Sequence, residues 1–284
     1  MEDYRTLNTD LKEICKDIRC DIMTCIGHLG VGHVGGCLSI VELLAVLYFE
    51  EMNIDPAQPK LPGRDRLVCS KGHAGPAVYA TLANRGYFDK KELLTLNQGG
   101  THLPSHCDMN LTTGIDMTTG SLGQGFSCAV GIALGSRLEN DGATIYAIIG
   151  DGESQEGQIW EAAMFAASKG LGNLVGFTDY NKLQIDATVA KVNDIAPLAD
   201  KWAAFGWNVI DVADGNDPEQ VSAAVKKAKA NRATGRPTMV ILNTRKGCGV
   251  SFIEGMGTAN HNTKVSEDDV RRAIAEIRRA DIWK

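Results

Sequence analysis

The most informative residues of this chain are an acid and an amide that each follow an apolar run. Asp151, which lies between Gly150 and Gly152, follows the apolar run 143–149, and Asn181 comes shortly after the run 174–178. Carboxylate and amide oxygens suit a hard cation such as Mg²⁺, and a glycine lets an anion come close to the backbone. Gly-Asp-Gly alone is also a plain turn. With the second segment present, the pattern predicts a cation site beside an anion site.

A parallel sheet would bring these two residues together. Two apolar runs with a helical stretch between them are typical of a βαβ unit. Ligands of such sheets bind beyond the carboxyl ends of the strands, so we expect Asp151 and Asn181 to lie side by side. Strand and helix patterns alternate along the chain, which predicts an α/β fold with a doubly wound, mostly parallel sheet and helices on both faces. We expect one domain over residues 1–284.

Further strands are predicted at 67–69, 207–212 and 238–242, and helices over 9–26, 39–48, 126–138, 160–169 and 266–280, with others starting near 76 and 218. Ser39 and Glu42 match a capping box for the second of these helices. Asp217 before Pro218 predicts a capped helix start. Residues 266–280 predict a capped amphipathic helix near the C-terminus.

Composition narrows the class of protein. The 284 residues include 44% hydrophobic and 23% charged side chains, enough for a core, and the net charge of −6 argues against nucleic acid as a partner. No apolar run reaches about 18 residues, so no membrane span is expected. The N-terminus, Met1 to Asp3, is acidic and unlike a signal peptide. Eight cysteines without a Cys-x-x-Cys pair predict reduced, buried thiols in a cytoplasmic protein rather than a zinc site.

A second ligand-binding segment is expected at 117–125. It contains three glycines just before a helix, an arrangement that lets a ligand approach the helix N-terminus. Imidazoles offer further chemistry, because they donate to phosphate oxygens, hold sugar hydroxyls and move protons near neutral pH. The chain has six histidines.

These segments together resemble the motifs of thiamine-diphosphate enzymes, and among them the transketolase family. Residues 150–153 with 179–186 are similar to the Gly-Asp-Gly-to-Asn motif, and 117–125 to Thr-Gly-Ser-Leu-Gly-Gln-Gly. Four histidines stand in segments similar to family motifs: His33, His73, His106 and His261. His28 and His102 do not, and we interpret them as solvated or structural. The resemblance runs from about Ile14 to His261 and implies the thiamine-diphosphate-binding fold.

The resemblance also implies roles for single residues. Mg²⁺, or Ca²⁺ or Mn²⁺ in its place, would be held by Asp151, Asn181 and the backbone carbonyl of Leu183. The cofactor-binding set would be His73, His106, Gly120, Ser121, Leu122, Gly152, Glu153, Asn181 and His261. The catalytic set would be His33, His73, His106, His261 and Glu156. Among these, His73 and His261 would face the diphosphate and the reaction centre, and His33 and His106 the hydroxyls of the substrate.

Glu156 is expected at a dimer contact that links two active sites, with Glu161 as a second candidate for that place. Carboxylates buried together there would titrate as a unit.

The resemblance implies a missing half. In the family, a pyrimidine-binding domain normally follows the one seen here, and its glutamate activates the cofactor ring. The chain ends at Lys284, so we expect a separately encoded partner subunit in an α₂β₂ arrangement. The implied activity is transfer of a two-carbon ketol group between sugars or sugar phosphates.

Three departures from the family pattern concern the substrate. Val34 and Cys107 each stand where the family has a proline after the histidine, and Cys248 stands where a lysine is common. Losing two prolines is expected to relax both loops. The donor or acceptor is therefore expected to differ from the usual pentose-pathway phosphates.

Two other functions stay open. One is another thiamine-diphosphate activity, such as a 2-oxoacid-decarboxylating component or a deoxyxylulose-phosphate-type synthase, which the histidine set argues against. The other is a non-catalytic protein that keeps the cofactor fold, against which the retained Asp151, Asn181 and motif histidines argue.

Overall fold

The apolar runs of the sequence form the strands of the computed structural model, which describes residues 10–283. Its strands are β1 Val31–Gly32, β2 Arg66–Cys69, β3 Ile145–Gly150, β4 Leu174–Tyr180, β5 Asn208–Val212, β6 Thr238–Asn243 and β7 Thr263–Lys264. Five of them form a parallel sheet in the order β2-β3-β4-β6-β5. Strands β1 and β7 pair antiparallel outside it. All carboxyl ends of the parallel strands therefore meet at one edge.

The helices connect these strands on both sides of the sheet. They are α1 Leu11–Leu29, α2 Val34–Leu38, α3 Val41–Val46, α4 Gly75–Arg85, α5 Gln124–Glu139, α6 Gly157–Ser168, α7 Val189–Asn193, α8 Leu198–Ala204, α9 Pro218–Ala230, α10 Ser251–Glu254 and α11 Glu267–Arg279. Helix α3 continues into a π-helical turn, Leu47–Glu51.

Alternate side chains of each strand face opposite layers. Tyr146 and Ile148 of β3 belong to a core shared with α1, α3, α4, α9 and α11. Ile145 and Ile149 of the same strand belong to a second core shared with α5, α6 and α8. The sheet is thus buried on both faces, which confirms the doubly wound α/β prediction.

The predicted strands and helices agree with the structure within a few residues at most boundaries. Helix α1 begins behind Asp10, whose side chain caps it. The predicted start at Thr9, the acidic stretch Met1 to Asp3 and the end at Lys284 lie outside the described residues. Asp217 and Ser266 cap α9 and α11 as predicted.

The capping box predicted at Ser39 and Glu42 is wrong. Helix α3 begins at Val41, with Ile40 at the cap position and no side-chain cap. Ser39 Oγ donates instead to Asp179 Oδ2 at 2.7 Å, and the buried Glu42 pairs with Arg19. A buried carboxylate without a cationic partner costs more free energy than a helix end without a side-chain cap. Both residues therefore make tertiary rather than local contacts.

Two wider observations concern the whole described chain. None of its helices combines the length and the apolar character that crossing a membrane requires. All eight cysteines are free, and all but Cys128 are buried.

Candidate active site

A cavity of about 350 Å³ lies where the carboxyl ends of β2, β3, β4 and β6 meet. It brings together almost every site residue expected from the sequence: His33, His73, His106, Gly120, Leu122, Asp151, Gly152, Glu153, Glu156, Asn181, Leu183 and His261. Ser121 is the exception, since its side chain is exposed and does not line the cavity. His28 ends α1 in an exposed position, and His102 contacts Glu92 on another surface.

The expected cation ligands lie on adjacent strand ends. Gly150 is in register with Asp179 on the neighbouring strand. The buried Asp151 accepts hydrogen bonds from the backbone N–H of Gly152, at 2.7 Å, and of Lys182. Asn181 Nδ2 donates to Asp179 Oδ2 at 2.9 Å, which fixes the amide so that Oδ1 faces the turn towards Leu183.

The donor set fits a hard cation. Burial, and after it the neighbouring Asp179 carboxylate, raise the pKa of Asp151 to about 7. No cationic side chain is paired with Asp151 among the described residues, and the Lys71 ammonium and the backbone N–H groups of Gly152 and Lys182 offset only part of its charge. Nor do three or more His, Cys, Asp or Glu side chains of that region lie together as a metal site. A cation here would therefore need the oxygens of Asn181 and Leu183 and those of an anionic ligand.

The four motif histidines cluster in the cavity. The ring centroid of His33 lies 5.3 Å from that of His73, 5.3 Å from that of His261 and 6.2 Å from that of His106. The rings of His73 and His261 are 5.1 Å apart. They come from four separate segments of the chain, so only the fold unites them.

Burial keeps three of these imidazoles neutral. It lowers the pKa of His33, and it lowers that of His73 well below its usual value, helped by the Lys71 ammonium. Burial and then Lys246 lower the pKa of His261 to about 4. A neutral imidazole has one donor and one acceptor nitrogen, which suits it to hold hydroxyls and to exchange protons.

A buried ion pair supports the cavity and was not predicted. Lys71 Nζ lies 2.7 Å from Asp179 Oδ2 and also donates to the carbonyl of Gly36 at 2.7 Å. Although burial disfavours both charges, each partner stabilises the other, so the pKa of Lys71 is raised and that of Asp179 lowered. Lys71 is two residues before His73 in the sequence, and Asp179 is two residues before Asn181. Their closeness to these predicted site residues was the sign in the sequence that they belong to the site.

Lys246 is a second residue that the sequence analysis did not assign. Its Nζ lies 3.0 Å from His261 Nδ1 and donates to the carbonyl of Leu183 at 3.3 Å. Burial, and next the charge of Lys71, lower the pKa of Lys246 to about 8. An ammonium in this position can neutralise an anion in the cavity. Its place in the Lys-Gly-Cys-Gly segment was the signal.

Glu153 holds the backbone rather than presenting free oxygens. Its Oε1 accepts from Ser70 Oγ and from the N–H of Gly123 at 2.8 Å, and Oε2 accepts from the N–H of Gly150 at 3.0 Å. Burial raises the pKa of Glu153 despite these donors. The carboxylate thus ties the glycine-rich segment to the end of β3. Glu153 also lines the cavity, and its contact with a cofactor stays a prediction.

Glu156 is exposed at the rim of the cavity, and Glu161 is exposed on α6 away from it. Their position at a dimer contact stays a prediction.

The residues that replace the family prolines are packed. Val34 is fully buried at the start of α2, and Cys107 is buried, with its carbonyl accepting from Thr119 N–H at 3.0 Å. Side-chain burial thus stabilises both loops without proline, and their greater freedom relative to the family stays a prediction.

Comparison with known proteins extends these observations. Residues 11–278 match the family model described as transketolase, thiamine diphosphate binding domain. The chain is 57% identical over 268 residues to a 6-deoxy-6-sulfo-D-fructose transketolase subunit of Clostridium sp. (strain MSTE9), covering 94% of this chain and 96% of that protein. It is 37% identical over 279 residues to an apulose-4-phosphate transketolase subunit of Actinobacillus succinogenes, covering 98% and 99%.

Solved structures show the same likeness. The transketolase from Leishmania mexicana superposes with a TM-score of 0.88 at 30% identity, over 97% of this chain and 42% of that one. The transketolase from Campylobacter jejuni gives 0.86 at 28% identity, over 94% and 42%. The chain thus spans about two fifths of these solved proteins.

Proposed function

Since this chain belongs to the transketolase family, through its thiamine diphosphate-binding domain, we propose that it is the cofactor-anchoring subunit of a two-subunit transketolase. The complex transfers a two-carbon ketol group from a ketose donor to an aldose acceptor. The observation that carries the proposal is the single cavity in which Asp151 and Asn181 lie opposite four clustered histidines.

Cation and diphosphate are assigned to one side of the cavity. Asp151, Asn181 and the Leu183 carbonyl hold Mg²⁺, or Ca²⁺ or Mn²⁺ in its place. His73 and His261 donate to diphosphate oxygens, and Lys246 neutralises part of the negative charge of the diphosphate. Gly120 and Gly152 have no side chain and let the cofactor come close to the backbone, and Ser121 and Leu122 contact it beside Gly120.

Substrate chemistry is assigned to the other side. Thiamine diphosphate supplies the carbon nucleophile and the electron sink when bound. His33 and His106 hold hydroxyls of the sugar, and the neutral ring of His33 accepts or returns a proton at those oxygens. Glu153 keeps the glycine-rich segment in place, and Glu156 lies towards the second active site.

The proposed partner is a separately encoded pyrimidine-domain subunit, in an α₂β₂ complex in the cytoplasm. The two relatives compared above are named as subunits, and this chain covers 96% and 99% of their lengths. The solved transketolases are more than twice as long as the region they share with it. Free thiols throughout the described chain support a reducing compartment.

The donor is proposed to be 6-deoxy-6-sulfo-D-fructose, because the relative with the higher identity is named for that ketose. Apulose 4-phosphate, from the name of the other relative, is the second candidate. Neither is a usual pentose-pathway donor.

The test is reconstitution of this chain with a separately encoded pyrimidine-domain subunit, followed by ketol transfer with thiamine diphosphate and Mg²⁺. Sulfofructose, apulose 4-phosphate and xylulose 5-phosphate are compared as donors. Ketol transfer that needs both subunits supports the proposal. Robust turnover by this chain alone would refute the need for a partner subunit. Preference for xylulose 5-phosphate would refute the proposed donor. Pyruvate-dependent CO₂ release would refute ketol transfer as the reaction.

A further inference from the structure

The residue directly before His261 is a buried asparagine without an assigned role. Asn260 is 0% exposed, and its Nδ2 donates to the carbonyls of Lys246 and Ile253, both at 3.0 Å. One amide group therefore joins the segment of His261 to the loop of Lys246 and to the end of α10.

On its other side, Asn260 packs against the loop of His33. A Cβ built on Gly35 would lie 2.2 Å from Asn260 Oδ1 and 2.9 Å from the Asn260 carbonyl, so only glycine fits there. The carbonyl of Gly35 also accepts from Gly247 N–H at 3.0 Å. Three segments that carry cavity residues thus meet at this one side chain.

Asn260 Oδ1 has no hydrogen-bond partner in the described part of the chain. An unsatisfied buried oxygen costs stability, so packing alone does not account for an asparagine here. The two bonds from Nδ2 are what an apolar side chain of the same shape would lack.

We propose that Asn260 is a positioning residue that holds His261 and Lys246 in register with His33. Through it, the 5.3 Å separation of the His33 and His261 rings and the 3.0 Å contact of Lys246 Nζ with His261 Nδ1 are maintained.

The test compares Asn260→Ala with Asn173→Ala in the full chain. Asn173 is a matched control, because it is 4% exposed, donates from Nδ2 to the Ala133 carbonyl at 2.9 Å and likewise has an unpartnered Oδ1, but packs away from the cavity. The readout is the set of histidine ring signals in NMR spectra of the cofactor-free chain, assigned with His33→Gln and His261→Gln.

We expect N260A to shift the signals of His33 and His261 and to leave those of His28 and His102 in place. N173A should lose stability without moving any of them. Unmoved His33 and His261 signals in N260A, or equal movement in N173A, would overturn the proposal. If N260A does not fold, Gly35→Ala decides, because it displaces the Asn260 side chain from the opposite side and should move the same two signals.

A kinetic arm rests on the proposed function. In the complex with the partner subunit, N260A should lower kcat/KM by roughly 10- to 100-fold through misplaced groups, while N173A retains the wild-type value. Wild-type-like kcat/KM in a folded N260A complex counts against the positioning role. A wild-type complex without activity would refute the proposed function alone, since the NMR arm uses neither substrate nor cofactor.

Discussion

The buried ion pair between Arg19 on α1 and Glu42 on α3 gives a sharp test of how the cavity is supported. Both side chains are 0% exposed, with Arg19 Nη2 2.7 Å from Glu42 Oε1. Arg19 Nε also donates to the Cys248 carbonyl at 3.0 Å, in the loop that carries Lys246. Glu42 accepts further bonds from Asn216 and Trp283, both at 3.1 Å.

The two partners differ in what remains when the other is removed. Breaking a buried pair costs about 3–5 kcal/mol, because an uncompensated charge stays in the core. An arginine cannot lose its proton at accessible pH, so Glu42→Gln should cost this amount at every pH. In Arg19→Met, the buried carboxylate of Glu42 keeps its hydrogen bonds from Asn216 and Trp283.

The assay is urea and thermal unfolding of R19M, E42Q and the double variant R19M/E42L. The singles should melt roughly 5–8 °C below wild type, and the double variant should lose less than the sum of the singles. Arg271→Met, which breaks a pair whose side chains are 67% and 86% exposed, is the control and should cost less than about 1 kcal/mol. Additive penalties would refute the reasoning.

Three further predictions concern the site. Asp151→Asn should weaken Mg²⁺-dependent cofactor binding at least about 100-fold in calorimetry of the complex, because it removes the only charged ligand that the proposed site supplies. The control, Asp200→Asn, should bind the cofactor as the wild type does. Equal affinities of the two variants would contradict the metal assignment. His261, with a native pKa of about 4 against 6.5, binds fewer protons when folded, so the wild type loses stability as pH falls from about 6.5 to 4. His261→Gln should remove about 1–2 kcal/mol of that loss, after discounting for partial exposure, and a pH-independent difference in unfolding free energy would oppose this. Ile185 is 65% exposed and lines the cavity. Ile185→Asp should therefore leave the melting temperature unchanged but block assembly with the partner subunit, as measured by native mass spectrometry. The control, Val192→Asp, should still assemble.

The site residues that could be predicted from the sequence are those whose positions follow from the order of strands and helices along the chain. Asp151 and Asn181 follow strands that the apolar runs mark, and parallel strands place their carboxyl ends together. The register of Gly150 with Asp179 follows from this arrangement. The four histidines needed the resemblance, because nothing in their spacing along the chain indicates that their rings meet.

Contacts between residues far apart in sequence could not be predicted. Ser39 and Glu42 have the spacing of a capping box, but their partners, Asp179 and Arg19, lie on other elements. A local pattern cannot show that both side chains will be buried, and burial decides in favour of the charged and hydroxyl partners. Lys71 and Asp179 are 108 residues apart and were missed for the same reason.

The charges of the cavity give a physical reason for cation and diphosphate to bind together. Asp151 is buried beside the Asp179 carboxylate, and Lys246 is buried with the Lys71 ammonium as its unfavourable neighbour. Lys71 and Asp179 neutralise each other, which leaves one unpaired acid and one weakly paired base facing the same space. A divalent cation alone would relieve Asp151 but add to the positive charge around Lys246, and a diphosphate alone would do the reverse. Only the cation and the diphosphate together balance the charges of Asp151 and Lys246. Each ligand should therefore raise the affinity of the other, and this coupling should be lost when either Asp151 or Lys246 is neutralised.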